Sequence, residues 1–280
     1  MAAATLRVDV LSSFQCPWCW LCSKQLAAAL VALRRKAGPE LRVSVRWWPH
    51  FLFPRLEGAE EQAASTSGGT SGRGGAAPSR QLRDKRQMYL SRFGGDASKV
   101  SAMEAQFGAA LGALGEPGYS VDGVVSSALD AHRLCAWIGE RLGDLSQWTV
   151  VDELFRAYHV RGEDLSDHAV LEAAAQAALR SSALAETTLA ELGGFLRSDQ
   201  MRDEVRLLVG PSGAQRLGMQ DMHGGVPHVK LSVVGGLQLE VPGAQSAEYF
   251  LRMAERLVVR SQQAAAAAAA AAEGRGSSRL

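Results

Sequence analysis

The chain has 280 residues, 47% of them hydrophobic, and 30 Lys and Arg set against 29 Asp and Glu leave a formal charge of +1. That length and apolar content make one large or two ordinary folded domains and exclude a disordered or fibrous chain. The scattered, balanced charge excludes the basic footprint of a nucleic-acid binder, and no apolar run approaches the roughly 20 residues that cross a bilayer.

The first residues, MAAATLRVDVL, carry neither a basic leader nor an apolar stretch with a cleavage site, which predicts a cytoplasmic protein with no membrane partner. Within them "TLRVDVL" (5–11) alternates apolar and polar residues, as does "LRVSVRWW" (41–48), and both read as strands. Residues 17–37 between them space Leu21, Leu26, Leu30 and Leu33 as a helix does, so the chain opens β-α-β. Residues 57–80 are Gly, Ser and Ala with almost no large apolar side chain, and read as a flexible low-complexity insertion.

From about 82 to 218 the pattern is helical. Val125, Leu129, Leu134, Ile138 and Leu142 form one stripe over 124–142, Val151, Leu154, Phe155 and Tyr158 another over 148–160, and Ser166 and Ser198 have the character of helix caps. Strand signals return in "HVKLSVV" (228–234) and "LQLEV" (237–241), joined by Gly235-Gly236 as a hairpin. An amphipathic helix follows over 246–261, with Ser246 as cap and Glu248 in its first turn. Nine consecutive alanines and EGRGSSRL then make a tail, helical or disordered. Strands at both ends with helices between predict one α/β sheet domain, 1–56 and 219–262, interrupted by the insertion (57–80) and an all-helical domain (81–218), with 263–280 as tail.

Three of the four cysteines, Cys16, Cys19 and Cys22, stand in "FQCPWCWLCSK" (14–24). An iron–sulfur run would need a cysteine at 26, where Leu26 stands. A zinc site would need further ligands, and His223 and His228 would have to converge from a loop, so no metal is expected. The cysteines follow a strand and open a helix, with Pro17 suited to the first turn. A thiol there meets unpaired N–H groups and the positive end of the helix dipole, which favour thiolate. Cys16 is expected to be that exposed thiol and Cys19, one turn on, its buried partner, tuned by Pro17 and Trp18. Cys22 lies about 120° around the helix from Cys16 and reads as a small buried apolar residue, like Cys135.

The stretches "DVLSSFQCPWCWLCSKQL", "VRWWPHFLFP", "MYLSRFG", "LDAHRLCAWIG", "LFRAYHVRGEDLSD", "FLRSDQMRDEV", "GGVPHVKLS" and "VPGAQSAEYF" resemble, in this order, the DsbA-like thioredoxin-fold proteins, and among them the FrnE-like dithiol–disulfide oxidoreductases. The resemblance implies a thioredoxin-like fold with a helical domain between its β-α-β and β-β-α halves. It also implies a cis-proline at Pro227, lying against the active-site cysteines and presenting the Val226 backbone to an extended substrate. The chain departs from the family in having His228 after G-V-P, Ser127-Ala128 before Leu129, and Gly210-Pro211-Ser212-Gly213 in an expected helix. Asp130, His132 and Arg133 read more naturally as a buried salt-bridged cluster than as a polar site facing the cysteines.

The expected function is therefore a protein disulfide oxidoreductase, reductase or isomerase in direction. Cys16 attacks a disulfide- or dithiol-containing protein, Cys19 resolves the mixed disulfide, and no cofactor acts beyond the redox-active disulfide, with glutathione a candidate electron donor. Two other readings stand beside it: a glutathione-dependent isomerase or transferase of the kappa-class type on the same fold, and a non-catalytic interaction module.

Overall fold

The computed structural model describes residues 5–57, 84–180, 185–219, 225–233 and 237–277. Strand β1 (Thr5–Ser12), helix α1 (Pro17–Ala37) and strand β2 (Arg42–Pro49) form the opening unit, followed by a 3-10 turn at Pro54–Glu57. Helices α2 (Lys85–Arg92), α3 (Ala97–Gly112), α4 (Leu129–Leu142), α5 (Asp144–His159), α6 (His168–Leu179), α7 (Ala185–Arg197), α8 (Arg202–Leu207) and α9 (Gly210–Arg216) come next. Strands β3 (His228–Val233) and β4 (Gln238–Pro242) and helix α10 (Ala247–Ser277) close the chain.

The sheet order is β2-β1-β3-β4, with β1 parallel to β2 and antiparallel to β3. The strands from the two ends of the chain thus meet in its centre, where Val10 of β1 pairs with Trp47 on β2 and with Val229 on β3. Leu6, Val8, Val10 and Val229 are wholly buried, which drives the pairing. Helices α1 and α10 pack on each other, and α10 also packs on β3 and β4. Helices α4 and α5 cover the β2 edge. There Gln147 does what a neighbouring strand would do: its Oε1 accepts from the Trp47 N–H at 3.0 Å and its Nε2 donates to the Trp47 carbonyl at 3.2 Å. A side-chain amide so closes part of an open sheet edge.

Local chemistry accounts for the helix starts, and in places differs from expectation. Asp84 and Asp96 cap α2 and α3 by accepting from Gln87 N and from Ser98 N and Lys99 N. At α6 the cap is Asp167, not Ser166, whose own N–H and hydroxyl are held by Asp164. Ser198 closes α7 instead of opening a helix, its hydroxyl donating to the Phe195 carbonyl at 2.7 Å. The stripe expected from 124 becomes helical only at Leu129, because Val124 bridges to Asp84. Ala128 has no side-chain oxygen to cap α4, and Glu57 supplies it, accepting from the Ala128 and Leu129 N–H groups at 2.8 and 3.1 Å. Glu57, first residue of the expected insertion, thus belongs to the fold; the rest of 57–80, from 58 on, lies outside the described residues.

The chain does break between α8 and α9, at Leu208 and Val209, next to the glycines and proline of 210–213. The Gly235-Gly236 turn lies outside the described residues, but β3 and β4 pair antiparallel as a hairpin requires. Ser246 caps α10 by accepting from Tyr249 N at 3.2 Å, with Glu248 in the first turn, and the helix continues through the alanines to Ser277. No helix among the described residues is long and apolar enough to cross a membrane.

Candidate active site

The turn after β1 delivers three cysteines to the start of α1. Cys16 is the N-cap residue, in extended conformation, and Pro17 occupies the first turn. Its backbone is fixed from both sides: Cys16 N donates to Ser13 O at 3.1 Å, and Cys16 O accepts from Cys19 N at 3.0 Å. All four cysteines are free thiols.

The second wall comes from the other end of the chain. The Val226-Pro227 peptide is cis, as the resemblance implied, and the Cys16 thiol donates to the Val226 carbonyl at 3.7 Å. This cover corrects one expectation: Cys16 is 6% exposed, not open to solvent. The exposed member of the turn is Trp18, at 47%, whose ring meets Phe107 of α3 edge-on at 4.7 Å. Cys19 and Cys22 are completely buried, and Cys135 nearly so.

Electrostatics divide the two leading thiols. A hydrogen bond from the Cys19 thiol lowers the Cys16 pKa, assisted by the peptide N–H groups of Cys19 and Trp18 and by the Arg92 charge, against the opposing effect of burial. Burial drives the Cys19 pKa well up, and hydrogen bonding to Cys16 adds to this; the Ser13 N–H, 3.5 Å from its sulfur, opposes it weakly. Burial alone dominates at Cys22, pushed up to about 12, and raises Cys135 as well. The arrangement supports a thiolate at Cys16 and a protonated partner directly behind it.

The remaining candidates separate from this site. Arg133 is wholly buried, paired with Asp130 at 2.6 Å and donating to the Ser198 and Gln200 carbonyls at 2.6 and 2.8 Å. Asp130 also meets His168 at 3.2 Å, so these residues brace α4 against the α7 end. His132 faces the Phe14 ring at 4.6 Å, and burial lowers its pKa to about 3, which leaves it neutral. His228 is buried and bonded to Glu240 at 2.8 Å, while His223 lies outside the described residues. Sequence reasoning missed the aromatic string beside Trp18: Phe107 of α3 meets that ring, Tyr119 lies 5.2 Å from Phe107, and the Tyr119 hydroxyl is 3.2 Å from that of Tyr89 on α2. The "MYLSRFG" stretch was a hint for Tyr89 alone, and nothing local tied it to residue 16.

A four-stranded mixed sheet, a cysteine pair at the start of its first helix and a proline segment opposite define a thioredoxin-like fold of the DsbA kind, with helices set between its two halves. The model of the DSBA-like thioredoxin domain matches residues 7–208, and the chain belongs to that family. The match ends before the Val226-Pro227 segment.

Solved structures share the fold. A probable DsbA oxidoreductase from Streptomyces coelicolor aligns with a TM-score of 0.63 and 23% identity over 90% of this chain and 89% of its own. A 2-hydroxychromene-2-carboxylate isomerase aligns at 0.52 with 14% identity, covering 92% of this chain and 98% of its own. A putative protein disulfide isomerase from Nitrosomonas europaea gives 0.51 and 14% over the same shares, 92% and 98%. No curated protein matches the sequence.

Proposed function

We propose that the chain is a thiol–disulfide oxidoreductase acting through Cys16 and Cys19, close to the FrnE-like members of its family. The observation that carries this reading is the placement of the two thiols: Cys16 opens α1 with its thiol 3.7 Å from the Val226 carbonyl, and Cys19 lies wholly buried one turn behind it.

In the reductive direction the Cys16 thiolate attacks one sulfur of a substrate disulfide. The substrate S–S bond breaks, one substrate thiolate leaves and is protonated by water, and a mixed disulfide forms at Cys16. Cys19 then gives up its proton and attacks the Cys16 sulfur, releasing the second substrate thiolate. Two electrons have passed from the dithiol to the substrate, and the Cys16-Cys19 disulfide remains. Oxidation of a substrate runs the same steps backwards. Trp18 offers an exposed apolar face to the substrate, and the Val226 and Pro227 backbone flanks the sulfur where an extended segment would lie. The substrates are disulfide-containing proteins, and glutathione is the thiol suited to return the pair to its reduced form; no further cofactor enters these steps.

The test is insulin reduction driven by glutathione with the wild-type chain, Cys16→Ala, Cys19→Ala and Cys22→Ala. Turnover is expected from wild type and Cys22→Ala alone. Turnover by Cys16→Ala would overturn the assignment.

A further inference from the structure

The Val226–Pro227 wall over Cys16 is tied to the β4 side at two points. Strand β3 pairs with β1 only as far as His228, opposite Leu11, so Val226 and Pro227 run on past that ladder. Pro227 has no N–H to give, and its carbonyl accepts from Gly243 N at 2.8 Å, just beyond β4. The second tie is a side chain. The His228 ring is wholly buried, and its Nε2 lies 2.8 Å from Glu240 Oε2. Its Nδ1 is buried with no hydrogen-bond partner among the described residues, so the bond to Glu240 is the one that orients the ring there.

The strand register explains how the two groups meet. His228 stands opposite Pro242, and Glu240, two residues back on β4, shares its face of the sheet and reaches the ring diagonally. Hydrogen bonds to a carboxylate are shorter and stronger than neutral ones, and a buried ring so tied has one orientation. One residue, Pro227, separates this ring from Val226, whose carbonyl oxygen is 3.7 Å from the Cys16 sulfur. The proline ring fixes φ there, so a shift of the His228 backbone is passed on to that carbonyl instead of being absorbed between them.

We propose that His228 is a positioning residue: held by Glu240, it fixes the Val226 carbonyl beside the Cys16 sulfur, so that an extended peptide docks on this segment with its disulfide against Cys16. The proposal rests on Cys16 being the attacking thiol and on the 226–227 backbone receiving the substrate chain.

The experiment compares the reduced chain's reaction with two disulfides that release the same group, 2-thiopyridone. One is 2,2′-dithiodipyridine, and the other is a linear peptide whose single cysteine is held as the 2-pyridyl disulfide. In each the Cys16 thiolate bonds to one sulfur, the S–S bond breaks, and the 2-thiopyridone that leaves takes a proton from water. The small reagent reports the nucleophilicity of Cys16, and the ratio of peptide rate to small-reagent rate reports docking. His228→Phe keeps the ring's bulk and loses the hydrogen bond, and is expected to lower that ratio about three- to tenfold. Glu240→Leu should lower it equally and the double variant no further, while Glu240→Gln, which keeps an oxygen for the ring N–H, should retain most of it. Thermal unfolding gives the folded share of each variant. Should His228→Phe fail to fold, the two Glu240 variants decide alone, at a side chain 18% exposed. An unchanged ratio in folded variants, or a Glu240→Gln protein that loses as much as Glu240→Leu, overturns the proposal. Peptide mapping that finds either reagent on a cysteine other than Cys16 overturns the exchange reading itself, and is recognised separately.

Discussion

The Cys16 sulfur lies 3.7 Å from the carbonyl oxygen of Val226, a residue 210 positions away. The contact explains why a thiol at a helix start is covered, and under the proposed exchange a substrate sulfur would come in alongside the 225–227 segment and Trp18. Behind it, Cys19 and Cys22 are wholly buried.

Limited alkylation of the reduced protein near neutral pH should therefore modify Cys16 first. The Cys19 thiol lowers the Cys16 pKa, whereas burial raises those of the other three cysteines, so the thiolate is favoured at Cys16. Cys22, pushed up to about 12, and Cys135, raised by burial, should stay unmodified until the protein unfolds. Mass spectrometry of the labelled peptides reads the order, and early labelling of Cys22 would contradict it.

A buried ion cluster should make stability fall in acid. Lys24 of α1 lies 2.7 Å from both Glu116 and Asp152, and Arg156 reaches Glu116 at 2.8 Å, with the Glu116 side chain 4% exposed. Burial pushes the Glu116 pKa up, but hydrogen bonds from Arg156 and Lys24 outweigh it and hold the carboxyl below its ordinary value. A folded pKa below the unfolded one contributes stability that is present above the unfolded value and is lost as pH falls through the folded one. Glu116→Gln should cost about 3 kcal/mol near neutral pH and flatten that acid limb, measured by urea unfolding across pH. An acid limb unchanged by the substitution would show that other carboxylates govern it.

Gln147→Leu should destabilise by about 2 kcal/mol in thermal or urea unfolding. It leaves the Trp47 N–H and carbonyl, buried on the β2 edge, without their partners. Gly139→Ala should act through the same amide, since a Cβ there would meet the Gln147 side chain at 3.0 Å. A fully stable Gln147→Leu protein would mean that water or a neighbouring group satisfies the edge.

The strands, α1, α10 and the place of the cysteines were legible because their signals are local: alternation, a 3.6-residue stripe, Pro17 after Cys16, Ser246 before a helix. That strands from both ends share one sheet was legible from the order of elements, strands at each end with helices between, although nothing local to 5–12 marks 228–233 as the partner of β1. What the sequence hid depends on distant partners. Glu57 caps α4 from 71 residues away, a role that its place beside a Gly- and Ser-rich run conceals. Exposure of Cys16 was misjudged for the same reason, because its cover is Val226.

The most direct test of the exchange account is to mix reduced Cys19→Ala protein with a disulfide-bonded protein substrate, quench with acid and map the products. The account predicts a mixed disulfide on Cys16 that accumulates, because the attacking thiol remains and the resolving one is gone, whereas wild type releases it and Cys16→Ala forms none. A mixed disulfide on Cys22, or one formed equally by Cys16→Ala, would contradict it.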